Sequence, residues 1–415
     1  MQNVKELFKT ESDSGQNDNS ALIKLARSRC RAHNPGHKFS VWRKMGRLSL
    51  LEMGVDQGGQ EKSSAVIDDD NLGEQAADAV KIVLVNGQYQ QDQSHLLDGV
   101  VVQSSTQVND DEAKWQDFLE AVPESEVAAS VAMVLSASWI TVCVSRSVKI
   151  KFQQIIASPG AHALNIRLVV SDGVSVECAE SIVYAIDGDQ GGFFYNRDVV
   201  LGHGAILKDN FLNRVSTDLA VMQSQRVAIG RQADYRRYHV ATGGQIVRHY
   251  HQVELNGEGG SCAFSGVCLG AQSQRHDQTI LVRHHSSHTV SMQSFKNVAR
   301  HKSLTNFSSR VYVSPGIKEI DSSQMNHNLL VDGTARALSA PELEVYSDEV
   351  QCAHGSTVGA VDAKAVVYLR SRGLGKEQAE ALLAEGFVQE LIASFPNTSQ
   401  DLAYSIAKEY LSKIQ

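Results

Sequence analysis

SRVYVSPGIKEIDSSQMNHNLLVDGTARALSAPELEVYS, Ser309 to Ser347, is the stretch whose texture decides the fold. Its apolar and β-branched runs are short and alternate with polar residues. Small or polar turn formers cut them roughly every six to ten positions. The pattern is that of strands, and it extends outward from about Lys81 to Val350, through KIVLVNGQY, ITVCV, VKIKFQQII, LNIRLVV and GQIVRHYHQVEL. So long a run of short strands without intervening helices leaves three architectures: a sandwich, a propeller or a parallel β-helix. No strict repeat and no Trp-Asp dipeptide supports a propeller. Stacked coils of a few strands and turns each would bury one continuous core, and the quoted stretch suits that arrangement best. Pro159, Pro315 and Pro341 are expected at joints between strand and turn.

The flanks read differently. Residues 1–80 are expected to form an N-terminal helical domain with loops, a short helix over Ala21–Cys30 placing Leu22, Leu25 and Ala26 on one side. The stretches ESDSGQNDNS and GVDQGGQEKSSAVIDDDNLG read as mobile connections. Residues 351–415 are expected to form a C-terminal helical domain. Asp362 can cap its first helix, and Gly373 suits a left-handed helix end. A helix over Glu377–Ile392 would carry Leu383, Phe387 and Leu391 as a stripe. Thr398 and Asp401 have capping-box spacing before LAYSIAKEYL.

Bulk properties exclude several function classes. The 415 residues are 42% hydrophobic, enough for a large core, and the formal charge of −8 offers no basic footprint for nucleic acid or anionic membranes. The longest apolar stretch, Val127–Val144, is interrupted by Ser130, Ser136, Ser138 and Thr141, and reads as a buried pair of strands and not as a membrane span. The opening MQNVKELFKTESDSG lacks an export-signal pattern, so the expected location is cytoplasmic. Six scattered cysteines without a CxxC argue against a disulfide framework, a zinc ribbon and a ferredoxin-type motif.

Two features could carry chemistry. In Cys352-Ala353-His354-Gly355 an extended chain would put thiol and imidazole on one side, α-carbons roughly 6.5 Å apart, close enough to serve one iron or adjacent irons. Two ligands do not complete a tetrahedral site, so the rest must fold back from elsewhere or come from a partner. Eight of the 15 histidines lie between His239 and His301, among them His249, His251, His284, His285 and His288. Because HHSSH sits between strands, helical metal-ligand spacing does not apply, and a structural role is preferred. Cys262 and Cys268, six apart, are expected in the core. The signatures HExxH, GxSxG and GxxxxGK[ST] are absent, and the glycines around Gly188–Gly192 sit in an acidic turn that would repel phosphate. A β-helix carbohydrate-active enzyme is the alternative, but it needs convergent carboxylates, and Asp187, Asp189 and Asp198 form no paired motif.

PELEVYSDEVQCAHGSTVG, Pro341–Gly359, resembles the PELEI-x-ADDV-x-C-x-HGAT-x-G signature of the SufB/SufD family. VVYLRSRGL (Val366–Leu374), IDSSQMNHNLLV (Ile320–Val331), LVNGQY (Leu84–Tyr89) and Lys296 in SFKNV resemble further family segments. The similarity runs from about residue 81 to Phe395, and the C-x-HG form is closer to SufD than to SufB. Departures are Glu349 in place of the usual Asp, SSRVYVSP without the family's Gly, and the basic ARHKSL. The resemblance implies a mainly β protein: a right-handed parallel β-helix flanked by N- and C-terminal helical domains. It implies a non-catalytic scaffold for iron–sulfur cluster assembly, paired with a SufB-like homologue and with a SufC-like ABC ATPase that supplies ATP hydrolysis. A transient cluster or iron would form at the SufB–SufD interface, with flavin association of the complex and homodimers of the isolated chain as further implications. His354, with Cys352, would be this chain's ligand, completed by a SufB cysteine. Leu383, Phe387 and Leu391 would face the ATPase.

Overall fold

The computed structural model describes residues 2–3, 21–32, 54–55, 79–105, 112–136, 138–184, 191–215 and 219–413. Most of the two loop stretches expected within 1–80, and residues 185–190 with Asp187 and Asp189, lie outside the described residues. The core is a β-solenoid of about seven turns. From Trp139–Val144 onward successive strands alternate between a nine-stranded and a ten-stranded sheet, and each pairs in parallel with the strand two places along the chain. Gly160 registers with Gly191, Gly191 with Leu219, Ile246 with Arg275 and Arg275 with Leu304, so a coil takes roughly 30 residues.

In-register stacking explains why these residues build this fold. Leu168, Val199, Val227, Val253, Val282 and Val311 sit one above another between the sheets, every one of them fully buried. Beside them runs Val170, Leu201, Ile229, Leu255, His284, Val313 and Val345. Branched aliphatic side chains pack well on a pleated surface, and each fully buried one contributes about 1.5–3 kcal/mol. The second column also shows where the solenoid stops: Val313 is 0% exposed and Val345, one coil on, 37%. The strands Arg336–Val345 and Val350–Ala360 each pair on one side only, and are the two edges of an open end.

Helices cover both outer faces. Helix α1 (Ala21–Ala32) presents Leu22 and Ala26 to Trp115 and Phe118 of α2 (Glu112–Ala121), as its spacing predicts. Helix α3 (Val127–Leu135) lies on the nine-stranded sheet against Ala161, Phe194 and Met222. After the solenoid come α4 (Ala363–Ser371), α5 (Lys376–Ile392) and α6 (Asn397–Lys413). The last two bury Ala384, Val388, Ile406 and Ala407 against Val240, Val267 and Val298 of the ten-stranded sheet.

Four expectations change. Val127–Leu135 is helical, and only Trp139–Val144 of that apolar stretch is a strand, so helices do interrupt the β region. The segment is Ala-rich, and it is buried on nearly every side between α1 and the sheet, which erases the period that tells helix from strand. The C-terminal helices begin at Ala363 and not at 351, because Val350–Ala360 pairs along its full length with Ile320–Leu330 as part of the solenoid. Asp362 then caps α4, accepting from the Lys364 amide at 2.9 Å, and Gly373 takes φ +97° as expected. Thr398 and Asp401 lie inside α6 and form no capping box; the Thr398 hydroxyl donates to Glu177 instead. Pro341 lies within an edge strand and not at a joint, a place where a residue without an N–H is tolerated.

Candidate functional site

The ten-stranded sheet stacks Leu207, Tyr235, Cys262, Ser291, Ser322 and Cys352 in one column. The neighbouring column runs Asp209, Arg237, Phe264, Gln293, Gln324 and His354. Cys352 and His354 therefore head two adjacent inward columns at the mouth of the solenoid, on one side of one strand as their spacing predicts. Cys352 is half-buried and packs against the inner core, whereas His354 is exposed.

Beneath Cys352 the lumen is polar. The Ser322 and Ser291 hydroxyls are 2.8 Å apart, Ser291 meets His284 Nε2 at 2.9 Å, and His284 Nδ1 meets Thr289 Oγ1 at 2.7 Å. Partial burial, and then the Asp321 carboxylate, push the Cys352 thiol up, so it is protonated at neutral pH. Thiolate and imidazole both suit iron. Among the described residues no three His, Cys, Asp or Glu side chains gather as a metal site, so a tetrahedral ion meeting Cys352 and His354 would need ligands from elsewhere.

The other candidates are structural. Cys262 and Cys268 are buried, their thiols pushed far up by burial. His285 pairs with Glu254 at 2.7 Å and His288 with Glu319 at 2.9 Å, on separate carboxylates. Asp198 is buried between Arg167 and Arg226 and is committed to both; Asp187 and Asp189 lie outside the described residues.

A buried polar chamber escaped the sequence reading. Arg197 reaches both Asp209 oxygens at 2.8 Å and Glu180 at 3.5 Å, while Arg237 reaches Asp209 at 2.6 Å and Gln223 at 2.9 Å. Burial works to raise the Asp209 carboxyl, but the two guanidiniums outweigh it and hold the group below its usual range. Glu180, less well partnered, is pushed up by burial to about 7 despite the opposing pull of Arg197 and Arg237. Next to them His239, His249 and His251 form a ring cluster: His239 meets His249 edge to face with centroids 4.7 Å apart, and His249 lies nearly parallel to His251 at 6.0 Å. Burial drives all three imidazoles far below the ordinary histidine range. A signal was present in DYRRYHVATG, where Tyr235, Arg237 and His239 share the inward phase of the strand. All of these groups are sealed from solvent, and their role is to fill the lumen.

The apolar stripe of α5 packs on its own solenoid. Leu391 is buried, and Phe387 packs half-buried on the same core that includes Val267 and Val298; Leu383 is also half-buried. Lys296 fastens the helix: its Nζ donates to the Phe387 carbonyl at 2.9 Å, pairs with Glu390, and lies 4.8 Å from the Phe387 ring centroid. Within the described C-terminal helices the large apolar side chains left in solvent are Val367 and Tyr368 of α4 and Leu382 of α5, 64%, 57% and 45% exposed.

Comparison with known proteins agrees with this geometry. The family model described as SUF system FeS cluster assembly, SufBD core domain, matches residues 156–387. The iron-sulfur cluster assembly protein SufD of Escherichia coli K12 is 25% identical over 325 residues, 76% of this chain and 75% of that protein. An iron-sulfur cluster assembly SufBD family protein of Synechocystis is 28% identical over 239 residues, 56% of this chain and 53% of the other. A SufBD family protein of Mycobacterium leprae is 28% identical over 240 residues, covering 55% and 61%. No helix among the described residues is long and apolar enough to cross a membrane.

Proposed function

Since this chain belongs to the SufBD core family of the SUF system for iron–sulfur cluster assembly, we propose that it is a SufD-like scaffold subunit, forming clusters jointly with a SufB-like homologue. The observation that carries this reading is the incomplete ligand pair, Cys352 and His354, at the mouth of a solenoid whose two edge strands have no partner on their outer sides among the described residues. Bare edges are templates for strand addition, and a homologous solenoid meeting them would cover the backbone groups and bring the missing ligands together. Iron or a nascent cluster is cargo in this reading. The chain's part is to hold His354, with Cys352 beside it, and to exclude water once the mouth is covered.

ATP hydrolysis belongs to a SufC-like ABC ATPase that docks on the C-terminal helices. The face offered is the one left in solvent, Val367, Tyr368 and Leu382, with Leu383 at its border; Phe387 and Leu391 support it from beneath. Movement of these helices is transmitted to the solenoid through Lys296.

The test is His354→Ala in the complex reconstituted with both partners under anaerobic conditions. Cluster yield should fall by roughly tenfold or more, with assembly of the complex intact. An unchanged yield would remove His354 as a ligand.

A further inference from the structure

If His354 ligates iron through one ring nitrogen, the fold decides what the other nitrogen meets. In register beneath His354 lies Gln324, fully buried. Its Nε2 donates to Ser309 Oγ at 3.0 Å and to the main-chain carbonyl of Glu342 at 3.3 Å. A carbonyl oxygen only accepts, so this amide has one possible orientation: nitrogen toward Glu342, oxygen away from it. That oxygen, Oε1, is buried and has no hydrogen-bond partner. A buried acceptor left unmet is destabilising, and a donor that reaches it is favoured. His354, one strand-width above at about 4.8 Å, is exposed, and a staggered χ1 rotamer would carry its ring toward the mouth. The site thus holds an acceptor without a donor next to a donor without an acceptor.

We propose that Gln324 is the positioning residue for His354: its Oε1 accepts one ring N–H and so presents the opposite nitrogen, lone pair outward, beside Cys352. A histidine that binds a metal through one nitrogen characteristically donates the other N–H to a fixed oxygen, which sets tautomer and ring plane and raises ligand basicity. Ser309 and the Glu342 carbonyl keep the amide from rotating. Because Glu342 belongs to the edge strand of the opposite sheet, the same side chain also spans the lumen and ties that edge to the strand next to Val350–Ala360.

This inference rests on the ligand reading above, and its test separates the two. Histidine 15N spectra of the full chain, without partners or iron, should show His354 as a single tautomer. Gln324→Met, close in volume but without the acceptor, should convert it to an exchanging pair, and Gln324→Glu, which keeps an oxygen there, should restore the single form. Ser309→Ala leaves Gln324 in place but removes the shorter of the two bonds that hold its amide, and should broaden the same resonances, so the inference is testable even if Gln324→Met folds poorly. His354 shifts unmoved by Gln324→Met, or by Ser309→Ala where the first variant does not fold, would overturn it. In the reconstituted complex Gln324→Met should lower cluster yield about tenfold. A tautomer that responds to Gln324 while His354→Ala leaves assembly intact would sink the ligand reading and keep the hydrogen bond; loss of assembly with an unresponsive tautomer would do the reverse.

Discussion

The two ends of the solenoid use the same stacked strands and finish in opposite ways. At the first coil the strand Trp139–Val144 is covered by the antiparallel strand Val100–Ser105, and Ala79–Val85 by the short hairpin to Gln88–Tyr89. Its lumen is filled by Ile82, Ile140, Phe152 and Ile166, all fully buried. At the last coil neither edge strand is covered among the described residues, Val345 reaches solvent, and the inward positions are given to Cys352 and His354. Covering an edge and lining the core with aliphatics is the default way to finish a sheet, so its abandonment at one end marks where a function has to be accommodated. Between the ends the lumen turns polar while remaining sealed, and there charge is tolerated only because it is paired.

Arg197→Met should break that middle region hardest. It withdraws a guanidinium from Asp209 and Glu180 in a site with no access to water, and removing one partner of a buried pair costs about 3–5 kcal/mol. Urea denaturation of the full chain measures the loss. A change below about 1 kcal/mol would mean that the chamber is hydrated and resembles the mouth more than the closed core.

A gentler change compares sealed and open coils directly. Val311→Ala removes two methyl groups from a fully buried column and should cost about 2–3 kcal/mol. Val345→Ala, at 37% exposure, should cost about 1 kcal/mol or less in the isolated chain. Equal losses would mean that the last coil is already packed against something, a second copy included. With a homologous partner bound, the Val345→Ala loss should grow and appear as weaker association.

Much of this was legible in the sequence because solenoid strands carry their information locally. Ser309–Ser347 shows period-two alternation and frequent turn formers, enough to specify strands and to favour stacked coils. Cys352 and His354 were legible for the same reason: two residues apart on one strand fixes their common face whatever the tertiary structure. What was missed is what depends on neighbours a coil away. Glu180, Arg197, Asp209 and Arg237 look like surface charges on separate strands, and only in-register stacking brings them together. Val127–Leu135 was misread because burial on nearly all sides removes the amphipathic period. The stripe Leu383, Phe387 and Leu391 showed that α5 has an apolar face, but spacing does not say whether the chain's own sheet or a partner receives it.

The smallest effect per group, and the one that tests the sealed lumen as a whole, is the dependence of stability on pH. Burial lowers His276 and His284 to about 4, and drives His239, His249 and His251 well below 6.5. In the unfolded chain these groups bind protons near 6.5, so between pH 6.5 and 4 the unfolded state holds more protons than the folded one, and stability falls as pH falls. Glu180 acts in the opposite sense: with its folded pKa raised to about 7, the folded state holds the extra proton, and its contribution is present below 4.5 and lost as pH rises toward 7. Asp209, held low, adds stability above 3.8 that is lost only below the histidine window. Each buried histidine contributes a slope of roughly 1.4 kcal/mol per pH unit, and five of them outweigh one glutamate, so the net trend is acid destabilisation. His276→Phe removes one of the five, and should flatten the stability profile between pH 6 and 4.5 by roughly 1.4 kcal/mol per unit, read from urea midpoints across that range. A profile of unchanged slope would mean that His276 exchanges protons in the folded state as it does in water, and that the lumen is open along its length and not only at the mouth.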